Sequence, residues 1–279
     1  MNRDPSITAA IIALNEERNL AELLPSLGWA DEIVVVDGGS TDDTISVARS
    51  YGCRILSHPF QNFAAQRNAA IDLAGSQWIF SVDADERPTA ALGAEIRRRI
   101  RDGRFSAFRV PIRSTILGRR FRASGTQKDR PIRLFRSDAG RWTGDVHEIL
   151  HVQGRVGTLK NWLDHRTLDD LHVFFAKIRR YTDLEARARI ARGRRPRSGD
   201  RWLAPVCEVF RRLVWNYGVV DGPAGWTFCL LSGLSEWVLA ERHRELWLQR
   251  TACPTPVSDL DRTRALPGCG MGCERNAHA

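Results

Sequence analysis

The chain has 279 residues, 43% of them apolar, which is enough for a sizeable core and excludes disorder throughout. Its formal charge of +9 is unevenly divided: residues 1–96 hold 6 arginines against 14 carboxylates, a net of −8, so the remainder carries +17. That division argues against a uniformly basic nucleic-acid coat and for an acidic, cation-binding half joined to a basic half that faces something anionic.

Residues 7–14 (ITAAIIAL) form a continuous apolar run without alternation, the pattern of a strand buried on both faces of a parallel sheet. A helix with Leu20, Leu23, Leu24 and Leu27 on one side follows, then a β-branched strand over 33–36 that stops at Asp37-Gly38-Gly39-Ser40-Thr41. Ser40 or Thr41 can cap a helix over 42–50. A short strand at 54–56, a helix over 64–74 and a strand over 78–82 complete a β-α-β-α-β-α-β series ending in Asp83-Ala84-Asp85. Such alternation implies right-handed crossovers, a mostly parallel sheet, and a binding crevice outside the carboxyl ends of the strands, where Asn15, Asp37 and Asp83 stand.

After a surface helix over 89–101 the texture changes to strand-like pieces at 105–112, 132–135 and 147–152, predicting an antiparallel or mixed extension of the sheet. A helix is expected from Thr167, with Asp170 completing a capping-box-like pair, to near Gly193. A basic linker (192–200) leads to a second amphipathic stripe, with a helix expected over 201–217 opposite Arg201, Arg211 and Arg212. Five of the nine tryptophans fall between 202 and 247. The apolar stretch 222–235 is 14 residues long, short of the ~20 needed to cross a bilayer. The last 29 residues (251–279) lack periodicity and read as a disordered tail. The domains expected are 1–165 (with halves 1–96 and 97–165), a helical region 166–250 that associates with a membrane through its tryptophans and Arg201, Arg211 and Arg212, and the tail. The six cysteines form no small-domain disulfide framework and no leader is evident, so reduced thiols and a cytosolic location are expected.

Asp83 and Asp85, at i and i+2 on a strand end, can turn both carboxylates towards one centre. Two hard oxygen ligands suit Mg2+ or Mn2+, which take further ligands from waters and a diphosphate. No G-x-G-x-x-G follows the first strand, so a dinucleotide cofactor of the usual kind is not expected.

The runs IIALNEERNL (11–20), IVVVDGGSTDDT (33–44) and AAQRNAAIDLAGSQWIFSVDADE (64–86) resemble, in order, the nucleotide-sugar half of family 2 glycosyltransferases, which adopt the Rossmann-like GT-A fold. The resemblance implies that Asn15 and Glu17 edge the nucleotide pocket, that Asp37 contacts base or ribose, and that Arg67 and Asn68 lie near the nucleotide. It also implies that Asp83 and Asp85 bind metal and diphosphate. The signature DDGS is DGGS here. Further on, Arg133-Leu134-Phe135-Arg136, the stretch 142–148 (WTGDVHE), His165, and a helix with Lys177 and Tyr181 are similar to lipopolysaccharide-core β-glucosyltransferases.

Inverting transfer needs a base for the acceptor hydroxyl, and Glu148 is the candidate, its proton affinity raised by negative neighbours and shared with His147. His147 or Asp145 as base, or a Glu148 merely paired with Arg133 or Arg136, stand beside it. Arg130, Arg133 and Arg136 can offset leaving-group charge. The expected protein is a metal-dependent enzyme moving a sugar, glucose in the nearest resemblance, from a nucleoside diphosphate (UDP) to a lipid-linked or lipopolysaccharide-core acceptor. Its expected place is the cytosolic face of the inner membrane, held peripherally, with no nucleic-acid partner. A polyprenyl-phosphate sugar synthase and a non-catalytic anionic-surface adaptor are the alternatives.

Overall fold

The computed structural model describes residues 4–144, 148–168 and 171–252. The first strands, β1 (Ile7–Ala13), β2 (Glu32–Asp37), β3 (Arg54–Ser57) and β4 (Trp78–Asp83), alternate with α1 (Glu17–Leu23), α2 (Thr44–Ser50) and α3 (Phe63–Leu73). The short β5 (Glu86–Pro88) and α4 (Ala90–Arg99) follow. The second half adds β6 (Ala107–Arg109), β7 (Ile112–Ile116), β8 (Arg119–Arg120), β9 (Ile132–Arg136), β10 (Gly140–Thr143), β11 (Ile149–Val152), β12 (Val156–Thr158) and β13 (Leu163–Leu168). Three helices close the described chain: α5 (Leu171–Ala191), α6 (Asp200–Phe210) and α7 (Gly222–Ala252).

The main sheet has the order β12-β6-β9-β4-β1-β2-β3, with β1 to β4 mutually parallel and β9 antiparallel to both β4 and β6. Successive residues of β1 enter two different cores. Ile7, Ala9 and Ile11 pack with Leu20, Leu23, Leu92 and Ile96 of α1 and α4, whereas Ala10 packs with Ala64, Ala70 and Ile71 of α3. Burial on both faces is why residues 7–13 carry no polar alternation. The chain is α/β with the mixed extension expected, arranged as a GT-A-like fold and followed by helices. A second sheet, β5-β13-β7-β8, and the hairpin β10-β11 complete it.

Helix α4 lies close on the sheet: a Cβ on Gly93 would stand 2.6 Å from Cδ1 of Trp29, which itself packs edge-on to Phe80. Glu95 of α4 accepts the backbone amides of Lys160 and Asn161, joining the first half to the loop before β13.

Three expectations are corrected. The helix expected from Thr167 is strand there: β13 runs to Leu168, paired to β7 on one side and β5 on the other, and those ladders outweigh a local capping signal. Asp170 lies outside the described residues. The run 105–112 is two strands, β6 and β7, separated by Val110-Pro111. The helix expected over 201–217 is α only to Phe210, then a five-residue π turn (Arg211–Trp215) and a left-handed Tyr217 at φ 56°. The apolar stretch 222–235 lies in the first half of α7, which continues unbroken for 31 residues. Of the tail expected over 251–279, Thr251 and Ala252 end α7, and residues 253–279 lie outside the described residues.

The turn before α7 is tied to the loop after β8. Asp221, 3% exposed, accepts the amides of Arg122 (2.8 Å) and Ala123 (3.1 Å) and the hydroxyl of Ser124 (2.8 Å).

Candidate active site

In-register pairing places the ends of three parallel strands side by side: Ala13 beside Asp37 and Ile12 beside Asp83. The chain leaves β1 through Asn15 in the left-handed region (φ 56°), a conformation asparagine tolerates. Asn15 donates its amide to Ser40 Oγ and accepts the Thr41 amide on Oδ1, both at 2.8 Å, so the loops after β1 and β2 are clipped together. Glu17 donates its amide to Asp42 across the same seam.

A cleft of about 770 Å³ opens over these ends. Asn15, Glu17, Arg67, Asp83, Asp85 and Glu148 line it, together with Phe63, His165, Arg180 and Tyr181. Arg67 organises one wall. It rises from α3, 8% exposed, and donates through Nη1 to Ser81 Oγ (3.1 Å), through Nη2 to Asp83 Oδ1 (2.8 Å) and through Nε to Glu148 Oε1 (3.0 Å). The Trp142 ring lies against this guanidinium, 4.9 Å from ring centroid to Cζ. Glu148 thus meets Arg67, not the Arg133 or Arg136 weighed from sequence, and the charged group it touches is a cation instead of the negative neighbour expected.

Arg133, from β9, holds the other oxygen of Asp83 (2.7 Å) and also Glu86 Oε1 (2.5 Å). Burial alone would raise the Asp83 carboxyl, but the flanking Arg133 and Arg67 more than offset it and hold it well below the usual range. Glu86 is fully buried, accepts the Asp83 amide at 2.8 Å, and is pushed by burial up to about 7 despite Arg133. Both Asp83 oxygens are therefore engaged by guanidinium. Asp85 is placed differently. Its Oδ1 lies 3.4 Å from Nε2 of His165 on β13, a strand that β5 holds against the β4 end. Burial pulls the imidazole pKa down, but the hydrogen bond and charge of Asp85, with Glu86 and Asp83 behind it, raise it overall.

Asp37 and Asn68, expected from sequence beside the nucleotide, do not line the cleft, nor do Arg130, Arg133 and Arg136. Asp37 is 1% exposed, and its carboxylate accepts the amides of Gly39 (2.9 Å) and Ser40 (3.1 Å), shaping the loop from within. Asn68 faces away: it donates to the Trp142 carbonyl (2.9 Å) and accepts the Trp142 amide (3.0 Å), fastening β10 to α3. His147, with Asp145 and Val146, lies outside the described residues. Gly38, the departure in the DGGS run, lines the cleft. A Cβ there would meet neighbours no nearer than 3.5 Å, so packing does not require glycine.

Sequence reasoning gave no role to Glu86, nor to the aromatic wall where Phe63 stacks on Tyr181 at 5.8 Å and Arg180 lies over Phe60. Glu86 carried a signal in directly following the Asp-x-Asp pair. The aromatic wall joins α3 to α5 across 118 positions, and only Tyr181 in it was singled out, by the resemblance.

The Asp85 carboxylate, facing the cleft beside His165, has the oxygen-donor chemistry that suits Mg2+ or Mn2+, and the imidazole, once deprotonated, would add a nitrogen donor.

Residues 8–153 match the model of glycosyl transferase family 2. Over 251 residues the chain is 29% identical to the lipopolysaccharide core biosynthesis glycosyltransferase LpsC of Rhizobium meliloti, covering 85% of this chain and 93% of that one. Among solved structures, it is similar to Staphylococcus aureus TarS in complex with UDP-GlcNAc, at 14% identity and a TM-score of 0.47, over 88% of this chain and 92% of that one. It is also similar to Mycobacterium tuberculosis glucosyl-3-phosphoglycerate synthase crystallised with Mn2+ and UDP, at 21% identity and a TM-score of 0.33, over 41% of this chain and 45% of that one. The family match spans more than half of the chain and includes every described cleft residue up to Glu148: the protein belongs to glycosyltransferase family 2.

Proposed function

We propose that this glycosyltransferase moves a sugar, with inversion, from a nucleoside diphosphate donor to a hydroxyl of a lipid-linked glycan of the lipopolysaccharide-core type. The observation that carries the reading is the convergence of Glu148, Arg67, Asp83, Asp85 and His165 on one cleft at the strand ends. The relative named for lipopolysaccharide core biosynthesis, similar over most of both chains, supports the acceptor class. Glucose and UDP are the sugar and nucleotide proposed, and the cytosolic face of a membrane is the place.

In this reading Asp85 and His165 hold a divalent cation, which when bound would offset charge on the leaving diphosphate. Asp83 fixes Arg67 at the cleft wall, where a guanidinium suits phosphate oxygens, and Arg133 holds Asp83 from behind. Asn15 and Glu17 border the nucleoside end. Glu148 takes the proton of the acceptor hydroxyl as it attacks the anomeric carbon, and Arg67 sets the orientation of that carboxylate. A polyprenyl-phosphate acceptor would need no base, so the presence of Glu148 in the cleft favours a hydroxyl.

Calorimetry with a panel of nucleoside diphosphates, with and without Mn2+, tests the reading. UDP binding that strengthens with Mn2+ in the wild type and loses that metal response in Asp85→Asn is expected. Nucleotide affinity and turnover indifferent to EDTA would overturn it.

A further inference from the structure

The helices after α5 carry an outer surface that the described chain does not cover. α6 and the first half of α7 run antiparallel, and they cross so closely that a Cβ on Gly233 would stand 2.5 Å from Val209 Cγ2. Trp202, Val206, Phe210 and Val214 form a row along one side of the crossing, and Trp226, Leu230 and Leu234 form a row along the other; all of them are exposed. Between the rows runs an open apolar groove of about 540 Å³. The closed end of the hairpin continues the surface with Trp215 (74% exposed), Tyr217 (69%), Val219 and Val220 (65%). A contiguous apolar face of this extent marks an interaction site.

The charges beside it are not those the sequence suggested. Arg211 and Arg212 are bound by Glu208 at 2.7 and 2.6 Å, and Arg201 by Glu241 at 2.6 Å. Arg119, Arg120 and Arg122 are exposed and come from the loop and strand packed on the hairpin tip. The Arg122 amide is on Asp221, and Arg119 Nη1 lies 3.1 Å from where a Cβ on Gly222 would stand. The tip thus pairs exposed tryptophan, tyrosine and valine with a rim of arginine.

We propose that this hairpin face, led by Trp215, Tyr217, Val219 and Val220 and rimmed by Arg119, Arg120 and Arg122, seats the enzyme on an anionic lipid surface. Indole and phenol rings partition to the boundary between headgroups and acyl chains, and guanidinium groups beside them meet lipid phosphate. A second copy suits the face less well, because an isologous contact brings the same arginine rim onto itself. The contact is a seat and not a span: among the described residues no helix is long and apolar enough to cross a membrane. In α7 the apolar run gives way to Glu236, Glu241, Arg242, Arg244 and Glu245.

This inference rests on the hairpin alone and is tested apart from the donor chemistry, with the full chain in EDTA and without nucleotide. Flotation is measured with vesicles of phosphatidylcholine alone and of phosphatidylcholine mixed with phosphatidylglycerol. The wild type is expected to float with the anionic vesicles and far less with the neutral ones. Changing Arg119, Arg120 and Arg122 to Ser should weaken anionic-vesicle binding by roughly fivefold per arginine, and Trp215→Ser with Val220→Asp should abolish it. UDP affinity serves as the control for folding and should stay unchanged in both variants. Wild-type protein that stays unbound at every lipid concentration would overturn the proposal. So would a chain that sediments as a dimer which Trp215→Ser with Val220→Asp dissociates, or vesicle binding that both variants retain.

Discussion

The sheet-forming first 99 residues and the hairpin of residues 200–252 are both rich in large apolar side chains, and they place them in opposite ways. In the first region Ile7, Ile11, Leu20, Phe80, Leu92 and Ile96 are sealed between helices and sheet. In the second, Trp202, Phe210, Trp215 and Leu230 face outward while Asn216, Asp221 and His243 are buried. Hydrophobicity alone does not separate a core from a contact surface; what separates them is whether the fold supplies a second layer. The parallel strands must carry helices on both faces because each crossover returns one, whereas among the described residues the helical hairpin is covered on one side only.

The contrast can be broken or sharpened by experiment. The largest effect is expected at the strand ends: Glu148→Gln should retain UDP binding but lose about 10² to 10⁴ in turnover. An equal loss in nucleotide affinity would instead make Glu148 part of the donor site. Next comes the sealed core, where Phe80→Ala should cost about 3–5 kcal/mol in denaturant unfolding. Leu203→Ser, at a position 66% exposed on the hairpin, should stay within about 0.5 kcal/mol. Similar costs at the two positions would erase the distinction between the regions. Gly93→Ala should cost about 1–3 kcal/mol by forcing Trp29 aside, readable as a lower thermal midpoint and a change in tryptophan fluorescence.

The smallest effect is a pH dependence at the joint between the halves. Burial alone would raise Glu95, but the amides of Asn161 and Lys160 bring its folded pKa below the ordinary 4.5. Its stabilisation is therefore complete above that value and is lost as the pH falls through the lower, folded one. Glu95→Gln should lower the thermal midpoint at neutral pH, and the gap to the wild type should close as the solution is acidified below 4.5. A gap that persists unchanged in acid would mean that Glu95 acts by shape and not by charge.

The parallel half was legible because each of its signals is local. A strand buried on both faces shows in the seven residues of β1, and a strand-end carboxylate shows in Asp83-Ala84-Asp85. Two kinds of feature were not legible. Pairing over long separations has no local trace, so the approach of His165 to Asp85 and of Arg133 to Asp83 could only be seen once β13 and β9 were in place. Residue type also does not tell which way a side chain points. Asp37 and Asn68 have the chemistry of ligand-binding groups, yet both use their hydrogen-bonding capacity on backbone amides and carbonyls of their own chain. The same limit explains the arginines: Arg211 and Arg212 read as a charged face until Glu208, one helical turn away, is seen to bind both.

The carboxylate of Asp221 joins two parts of the chain almost 100 positions apart through two amides and one hydroxyl. Three short bonds to one rigid group leave little freedom for a hinge at that point. A hairpin resting on a plane would therefore carry the catalytic sheet at a constant height and tilt above it. Reach then becomes a fixed dimension of the enzyme, and acceptors would be sorted by how far their reactive hydroxyl stands from the surface as well as by the shape of the sugar that bears it.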